Sequence, residues 1–290
     1  MDLWTWGRSP WGEAILTHVS WDLFWASLFA GAAFLVAHAG YMLFSPHRKR
    51  GTSETDAMQA ARPDLPERIA RHSLAARLFH WVMAAAMFVL LFTAFLPVVG
   101  VQFPWVTWHW MAGIVLTVSI LFHIVHATVW LDFWSIWVGL KDVPELRAEL
   151  MRELGRDVNG PKPGKYPLGN RLYHLAIVLA GLAVVATGLF MMVRVETPFF
   201  TRNPYLLGDA AWGMTYVLHG LAGVSLVGLV IAHVYFAVRP DKWWITKSMI
   251  LGWITRRQYL EHHDPDRWAP VPIDQAPGAS RTKVRANNST

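Results

Sequence analysis

The segment TYVLHGLAGVSLVGLVIAHVYF, residues 215–236, decides how this chain folds. It is predominantly apolar, and it contains two histidines, His219 and His233, that stand fourteen residues apart. In an α-helix, fourteen residues cover roughly 21 Å along the axis, and fourteen steps of about 100° return to nearly the same face. The segment therefore predicts one long apolar helix that presents two imidazoles on one face, one near each end.

The composition places this helix in a membrane. The chain has 290 residues, of which 54% are hydrophobic and 16% charged, and its mean hydropathy is +0.28. Such a chain is too apolar for an ordinary soluble domain. Because an imidazole that faces lipid has no hydrogen-bonding partner, histidines inside the spans suggest function. Five apolar runs are each close to the roughly 20 residues that cross hydrocarbon, and they cover residues 23–44, 76–99, 107–131, 172–193 and 214–238.

The positions of Lys and Arg predict the orientation, since cytoplasmic loops of membrane proteins are enriched in them. Of the 26 such residues, 23 lie within 45–77, within 132–171 or after residue 238, and only Arg8, Arg194 and Arg202 remain for the other side. We therefore predict an all-α membrane protein with five spans, its N-terminus outside and its C-terminus cytoplasmic. His219 then lies near the outer end of the last span, and His233 near the inner end.

The chain divides accordingly into four predicted parts. These are an extra N-terminal transmembrane helix, a cytoplasmic linker, a helical core with cytoplasmic interfacial helices, and a flexible cytoplasmic tail, at residues 1–45, 46–70, 71–268 and 269–290. Within the core, a capping-box pattern at Asp142 and Glu145 and leucines at four-residue spacing predict a helix over 142–155. A segment rich in Trp and Ile predicts a second helix over 241–254 that lies in the membrane interface.

Membrane depth selects candidate ligands among the thirteen histidines. A haem held by two imidazoles needs two histidines at the same depth on facing helices. His80 opens the second span at the inner side, and His109 opens the third at the outer side. Depth therefore pairs His109 with His219 and His80 with His233, which predicts two b-type haems. Spacing alone leaves an alternative open, because His123 also follows His109 by fourteen residues and would reach the depth of His233.

The other histidines have plainer explanations. An interfacial or hydrogen-bonded role is expected for those in the first helix or near helix ends and polar segments, namely His18, His38, His47, His72, His174, His262 and His263. Imidazole titrates near neutral pH, so candidate proton donors at the inner end are His123, His126, His174, His262 and His263. Small residues beside the ligands would leave room for a macrocycle, although they more often serve helix packing; they are Gly113, Gly220, Gly223 and Gly228.

Several function classes are excluded or disfavoured by the composition. The chain has no cysteine, so it can form no disulfide, no haem attachment through C-x-x-C-H and no cysteine-ligated iron–sulfur cluster; any such cluster must belong to a partner. The basic pI of about 9.7 reflects juxtamembrane charge, so we expect membrane lipid and not nucleic acid as a partner. A haem-free anchor or transporter would leave four depth-matched histidines unexplained. We assign no catalytic residue.

A set of short motifs resembles the cytochrome b (gamma) subunit of membrane-bound respiratory formate dehydrogenase, within the wider group of hydrogenase-type di-haem cytochromes b. The resemblance covers roughly residues 68–268. It rests on the four paired histidines together with Arg77-Leu-Phe-His80-Trp81, Gly113 four residues after His109, Gly164-Lys165-Tyr166, Arg256-Arg257, His262-His263 and Arg267-Trp268.

The resemblance implies a four-helix di-haem core in the bacterial inner membrane, to which the first helix is an addition. It implies that His80 and His233 hold the inner haem b, and that His109 and His219 hold the outer one. In this way it favours His80 over His123 as the partner of His233.

The resemblance further implies a respiratory electron-transfer role. Electrons would come from a periplasmic iron–sulfur (beta) subunit and, through it, from a molybdenum or tungsten catalytic (alpha) subunit that oxidises formate. They would reduce a quinone, menaquinone or ubiquinone, near His233 and Gly169. Pro167 stands where the family has an asparagine, so a side-chain hydrogen bond to the quinone from that position is not expected. The alternative partner is a hydrogenase or a thiosulfate or tetrathionate oxidoreductase.

Overall fold

The computed structural model describes residues 3–44, 62–139, 142–153 and 162–275. Most of the predicted linker and the end of the predicted tail lie outside these residues. In chain order the elements are β1 (Trp4–Arg8), β2 (Ala14–Val19), α1 (Trp21–Phe44), β3 (Arg68–Ala70), α2 (Leu74–Phe95), α3 (Trp105–Trp130), α4 (Val143–Glu153), α5 (Leu168–Met192), α6 (Asp209–Val238), α7 (Trp243–Leu251), β4 (Trp253–Thr255) and α8 (Arg256–His262), with short 3-10 turns at Pro97–Val99, Phe133–Ile136 and Ile273–Gln275.

The five predicted spans are confirmed as helices. α1, α2, α3, α5 and α6 are each long and apolar enough to cross a membrane. Few of their side chains are buried within the protein, since no more than 22% of the apolar stretch of any of these helices is enclosed. Large apolar side chains therefore cover their outer surfaces, which suits contact with lipid. The helical hydrogen bonds satisfy the backbone polar groups, as a membrane requires.

Contacts divide the chain into two compact units. The first comprises Met1–Pro46, Phe79–Gly139 and Gly169–Phe236, and the second comprises His47–Leu78, Leu140–Leu168 and Ala237–Thr290. The first unit contains nearly all of the five long helices, and the second contains the short elements β3, α4, α7, β4 and α8.

In the first unit, α1 packs along the side of α6. A Cβ added at Gly31 would lie 3.3 Å from Ile231, so the two helices approach closely there. Ser27 donates to the carbonyl of Val224 over 3.1 Å. Farther along, His38 Nδ1 and the hydroxyl of Tyr235 are 2.9 Å apart. The additional helix is therefore a packed part of the bundle, held to the helix that carries His219 and His233.

A β-hairpin before α1 was not expected in an all-α chain. β1 and β2 pair antiparallel around the turn Ser9-Pro-Trp-Gly12, where Gly12 has a φ of 87°. The hydroxyl of Ser9 accepts from the backbone amides of Trp11 and Glu13. The hairpin lies against α6, since a Cβ at Gly213 would collide with the carbonyl of Leu16. Turn chemistry of this kind is a local signal that a search for apolar runs does not read.

The second unit has its own small core. β3 pairs antiparallel with β4, and buried side chains from both strands and from α8 pack together: Leu65, Ile69, Ile254, Tyr259 and Leu260. Thr255 caps α8 through a capping box with Gln258. The predicted helix over 241–254 is only partly correct, because α7 ends at Leu251. Gly252 follows with a φ of 88°, which breaks the helix, and the chain continues as a strand.

The predicted helix over 142–155 is present as α4. Its buried face differs from the leucine stripe expected from the sequence, since Leu146 is 43% exposed, while the side chains of Leu150 and Leu154 lie outside the described residues. Glu145 is buried instead and pairs with Arg267 over 2.9 Å. A charged side chain is buried here because it has a partner of opposite charge.

Candidate haem-binding sites in the helical bundle

Near the predicted inner end of the bundle, the structure brings His80 of α2 opposite His233 of α6. Their ring centroids are 6.4 Å apart, and the ring planes are inclined by 51°. Tyr173 of α5 stacks on His233 with a centroid distance of 5.1 Å and a plane angle of 18°. The Tyr173 hydroxyl donates to the carbonyl of Leu229 over 3.1 Å, one turn before His233, and this bond holds the aromatic ring against the imidazole.

Near the predicted outer end, His109 of α3 lies opposite His219 of α6. Their ring centroids are 6.2 Å apart, with an angle of 69° between the planes. The two pairs thus share almost the same separation, although they lie fourteen residues apart on α6. Four of the histidines selected by membrane depth therefore meet in the predicted pairs.

The outer pair has hydrogen-bond partners that the sequence reasoning missed. Thr93 Oγ1 of α2 is 2.8 Å from His109 Nδ1, and Thr187 Oγ1 of α5 is 2.9 Å from His219 Nδ1. Each hydroxyl also donates to a carbonyl one turn back in its own helix, that of Val89 or Ala183. Because each hydroxyl proton is used in this way, the threonine oxygen accepts from the imidazole.

This arrangement sets the protonation of both outer imidazoles. With Nδ1 as the donor, Nε2 carries the free lone pair, which is the form that binds a metal. The inner His80 differs, since its Nδ1 is buried and has no hydrogen-bond partner among the described residues. Thr93 and Thr187 could have been predicted from the sequence, because each is a polar residue inside an apolar span.

The alternative prediction placed His123 opposite His233, but the structure places it elsewhere. It faces His174 of α5, and their ring centroids are 6.3 Å apart at an angle of 74°. Phe79, the residue before His80, stacks on His123 with a centroid distance of 4.5 Å. The structure thus places His123 in a separate cluster, and it turns His174 inward, which its position near a helix end did not indicate.

The four glycines expected to make room for a macrocycle divide into two groups. A Cβ at Gly220 would lie 2.8 Å from Val19, and one at Gly228 would lie 3.5 Å from Ser27, so both glycines serve packing against the hairpin and α1. Gly223 differs, because no described atom lies within 4 Å of an added Cβ there, and for Gly113 the nearest is a Leu90 carbon at 4.0 Å. These two remain compatible with a bulky group in the bundle.

A glycine absent from the prediction lies beside the outer pair. A Cβ at Gly188 would come within 3.3 Å of His219 Cε1. Gly188 follows Thr187, whose hydroxyl bonds the same imidazole. Thr187 therefore orients the His219 ring by a hydrogen bond, and Gly188 leaves the space that the ring occupies.

The separations fit two imidazoles that share one iron. Metal–imidazole bonds are about 2 Å long, and a ring nitrogen lies roughly 1 Å from its ring centre, so two imidazoles that bind one iron would place their centroids about 6 Å apart. The observed 6.4 Å and 6.2 Å agree with this value. Neutral imidazoles are among the axial ligands that proteins use for haem iron, so the donor set also fits.

Gly169, expected near a quinone, lies in the first turn of α5 and is exposed. The neighbouring Gly164-Lys165 motif belongs to the second unit, where it meets the tail motifs. Arg71 Nη1 donates to His263 Nε2 over 2.8 Å, and His263 Nδ1 donates to the carbonyl of Gly164 over 2.7 Å. Arg71 also donates to the carbonyl of Lys165 over 3.3 Å. Motifs far apart in sequence thus form one buried hydrogen-bonded cluster.

The electrostatics of this cluster decide the role of His263. Burial, together with the positive charge of Arg71, lowers the pKa of His263 to about 3. The imidazole is therefore neutral at physiological pH and accepts a hydrogen bond from Arg71, so it is a structural residue and not the proton donor that its position suggested. Its neighbour His262 stacks on Trp244, with ring centroids 4.6 Å apart.

Comparison with known proteins agrees with the resemblance drawn from the motifs. The formate dehydrogenase cytochrome b556 subunit of Haemophilus influenzae is 26% identical over 217 residues, a match that covers 69% of this chain and 82% of that protein. A family model described as prokaryotic cytochrome b561 matches residues 71–252, which include all four paired histidines. The chain therefore belongs to the prokaryotic cytochrome b561 family, and it is a multi-pass haem b protein of the bacterial membrane.

Proposed function

We propose that this protein is the membrane electron-transfer subunit of a formate dehydrogenase-type complex. In this proposal it passes electrons from a periplasmic iron–sulfur module, itself joined to a molybdenum or tungsten catalytic subunit, through two b haems to a quinone on the cytoplasmic side. The observation that carries the proposal is the presence of two imidazole pairs with matching separations, 6.4 Å and 6.2 Å, near the two ends of one helix. The formate dehydrogenase subunit named above supports the choice of partner.

The assignment of ligands follows the two pairs. His80 and His233 would hold the inner haem b, and His109 and His219 the outer one. A bound haem supplies a one-electron carrier whose potential depends on its ligands and their surroundings. The protein's contribution is to fix the imidazoles, through Thr93 and its counterpart on α5 at the outer pair, and through ring stacking at the inner pair.

The quinone is assigned to the inner end. His233 and Gly169 are proposed as its neighbours, on the strength of the motif resemblance and of the exposure of Gly169 at the start of α5. The exposed backbone there leaves a ligand free to approach. Positive charge concentrated in the loops at this end supports its cytoplasmic location.

We also retain the proposed division of the chain. The extra helix over 1–45 would serve the core over 71–268 by supporting α6, as the Ser27 and His38 hydrogen bonds suggest. The linker over 46–70 and the tail over 269–290 would be cytoplasmic segments.

Haem content tests the ligand assignment. The purified wild-type protein should contain two b haems per chain, measured as the pyridine haemochrome against protein concentration. His80→Ala should lower this ratio to one, because one axial ligand of the inner haem is lost, whereas His123→Ala should keep both. A ratio of one in the wild type, or loss of haem in the His123 variant alone, would contradict the assignment.

Reduction by substrate tests the partner. In the intact complex, formate should reduce the haems, and an added quinone should reoxidise them. Hydrogen, offered as an alternative donor, should leave the spectrum unchanged. Haem reduction by hydrogen and not by formate would replace the formate dehydrogenase with a hydrogenase as the catalytic partner.

A further inference from the structure

A second group of histidines lies at the predicted inner end of the bundle, apart from the paired ligands. We call His123, His126 and His174 the inner histidine cluster. The rings of His123 and His174 face each other at 6.3 Å, and His126 follows one turn after His123 on α3. His126 is buried, with 7% of its surface exposed. The cluster is not used by the proposed haem ligation.

The polar atoms of this cluster are buried without protein partners. Nδ1 of each of the three histidines and Nε1 of nearby Trp137 are inaccessible and have no hydrogen-bond partner among the described residues. Trp137 packs edge-on against His174, with ring centroids 5.9 Å apart. Unpaired buried polar groups cost free energy and in folded proteins are usually satisfied by water or an ion. Three of these nitrogens belong to rings in contact, since His174 packs against both His123 and Trp137, so a small polar occupant beside His174 would satisfy them.

The donors available and the charge of the region select water over a metal ion. A metal ion needs further donors, and no three histidine or acidic side chains converge on a metal site within the described part of the chain. Arg171, whose guanidinium donates to the carbonyl of Trp137, adds a positive charge to the same region, which disfavours a cation.

The cluster adjoins the inner ligand pair through two aromatic residues. Phe79 precedes the ligand His80 in α2 and stacks on His123. Tyr173 precedes His174 in α5 and stacks on the ligand His233. One layer of aromatic rings thus separates the cluster from the inner pair, where the quinone is proposed to react.

We propose that the inner histidine cluster, with bound water, is the route by which protons reach the quinone; this inference rests on the proposed function. Quinone reduction consumes two electrons, delivered one at a time through the haem-binding pairs, and two protons, and it yields the quinol. Each imidazole passes a proton to the quinone side and takes another from the aqueous phase, so the histidines are unchanged after a turnover. Imidazole suits this role because one ring nitrogen can accept a proton while the other releases one.

Other titratable and charged groups at this end of the first unit contribute to any pH dependence. On the elements packed at this end of the first unit they are His80 of α2, Asp132 after α3, Arg171 and Tyr173 of α5, and His233 of α6. The test must therefore separate proton delivery from effects on these neighbours.

The test uses the full complex with His123→Gln, His174→Gln and the double substitution. Haem reduction by the electron donor should proceed at the wild-type rate, and haem content should stay unchanged. Reoxidation of the haems by a water-soluble quinone should slow by about a hundredfold, the usual scale of a lost proton-transfer group, and its solvent deuterium isotope effect should increase. His18→Gln, which changes an exposed histidine of the hairpin, is the matched control.

A second measurement does not depend on turnover. In ¹⁵N-histidine NMR spectra, the imidazole signals that are present in the purified wild type and missing in the double variant belong to His123 and His174. In the wild type these signals should show proton exchange with solvent. If these signals show no exchange with solvent, the inference is wrong. It is also wrong if the haems of the double variant are reoxidised at the wild-type rate, or if the double variant loses a haem. Loss of a non-haem metal that the wild type contains would likewise contradict it, because the histidines would then be metal ligands. If quinone does not reoxidise the haems of the wild type, the proposed function itself is wrong. If quinone reoxidises the haems of the wild type and of the double variant equally fast, only the role given to the histidines is wrong.

Discussion

At the scale of single residues, the two threonines next to the outer imidazoles decide which ring nitrogen carries the proton. Thr93 and Thr187 come from different helices, yet each accepts from an Nδ1 and donates to its own helix backbone. Such outer partners orient a ligand and select its tautomer. The inner pair has an aromatic neighbour instead of a hydroxyl, since Tyr173 stacks on His233.

Replacing Thr93 with Val should weaken the outer haem site selectively. Valine keeps the shape of threonine but cannot accept from His109, so we expect haem affinity at that site to fall about tenfold, at the lower end of what such partners contribute. Haem release during dilution in detergent, followed optically, would measure it. Thr128→Val is the control, since that hydroxyl bonds only carbonyls of its own helix. Equal haem retention in the two variants would contradict the role given to Thr93.

At the scale of elements, α6 is held from two sides. Its histidine face meets α2, α3 and α5, and its other face meets the hairpin and α1. Close backbone approach at Gly213 and Gly220 makes the second contact feasible, in the way that small residues generally let membrane helices pack closely. The N-terminal elements thus support the helix that carries half of the proposed ligands.

Gly213→Ala should loosen the hairpin from α6. The added methyl group would meet the carbonyl of Leu16, and forced overpacking of this kind typically costs about 1–3 kcal/mol. Thermal unfolding in detergent should therefore begin at lower temperature than in the wild type. Gly40→Ala makes a matched control on α1, because no described atom lies within 4 Å of its added Cβ; it should be neutral or slightly stabilising. Equal losses in both variants would rule out a specific contact at Gly213.

At the scale of the whole molecule, orientation connects the chemistry to the two aqueous compartments. The first unit contains both imidazole pairs, and the charge distribution predicts which pair faces which side. If the orientation were reversed, the proposed quinone end and the proposed iron–sulfur end would exchange compartments. The direction of proton uptake would reverse with them.

The absence of cysteine allows a direct test of orientation. Tyr205 is 90% exposed. Tyr205→Cys should therefore react with a membrane-impermeant maleimide in intact cells. Arg257→Cys, exposed on α8, should react only after the membrane is opened. The cysteine-free wild type supplies the background. Labelling of Arg257→Cys but not Tyr205→Cys in intact cells would invert the predicted topology.

The sequence by itself determined the five spans and the depth of each histidine. Apolar length and helical spacing are local properties, so the fourteen residues between His219 and His233 place two imidazoles near opposite ends of a span regardless of the neighbouring helices. Depth also predicted which histidines can meet, and it paired His109 with His219. It could not by itself choose between His80 and His123 as the partner of His233, since both lie at a suitable level.

Only the tertiary structure decided which face of each helix meets which neighbour. Rotation about a helix axis and the order of helices in a bundle depend on packing between distant segments, as at Gly31 and Ile231, and apolar composition all around a membrane helix hides that information. The pairing of His123 with His174, the threonine bonds and the strand after Gly252 emerge only when those segments come together. Depth is therefore a property of the sequence, whereas direction within the bundle is a property of the fold.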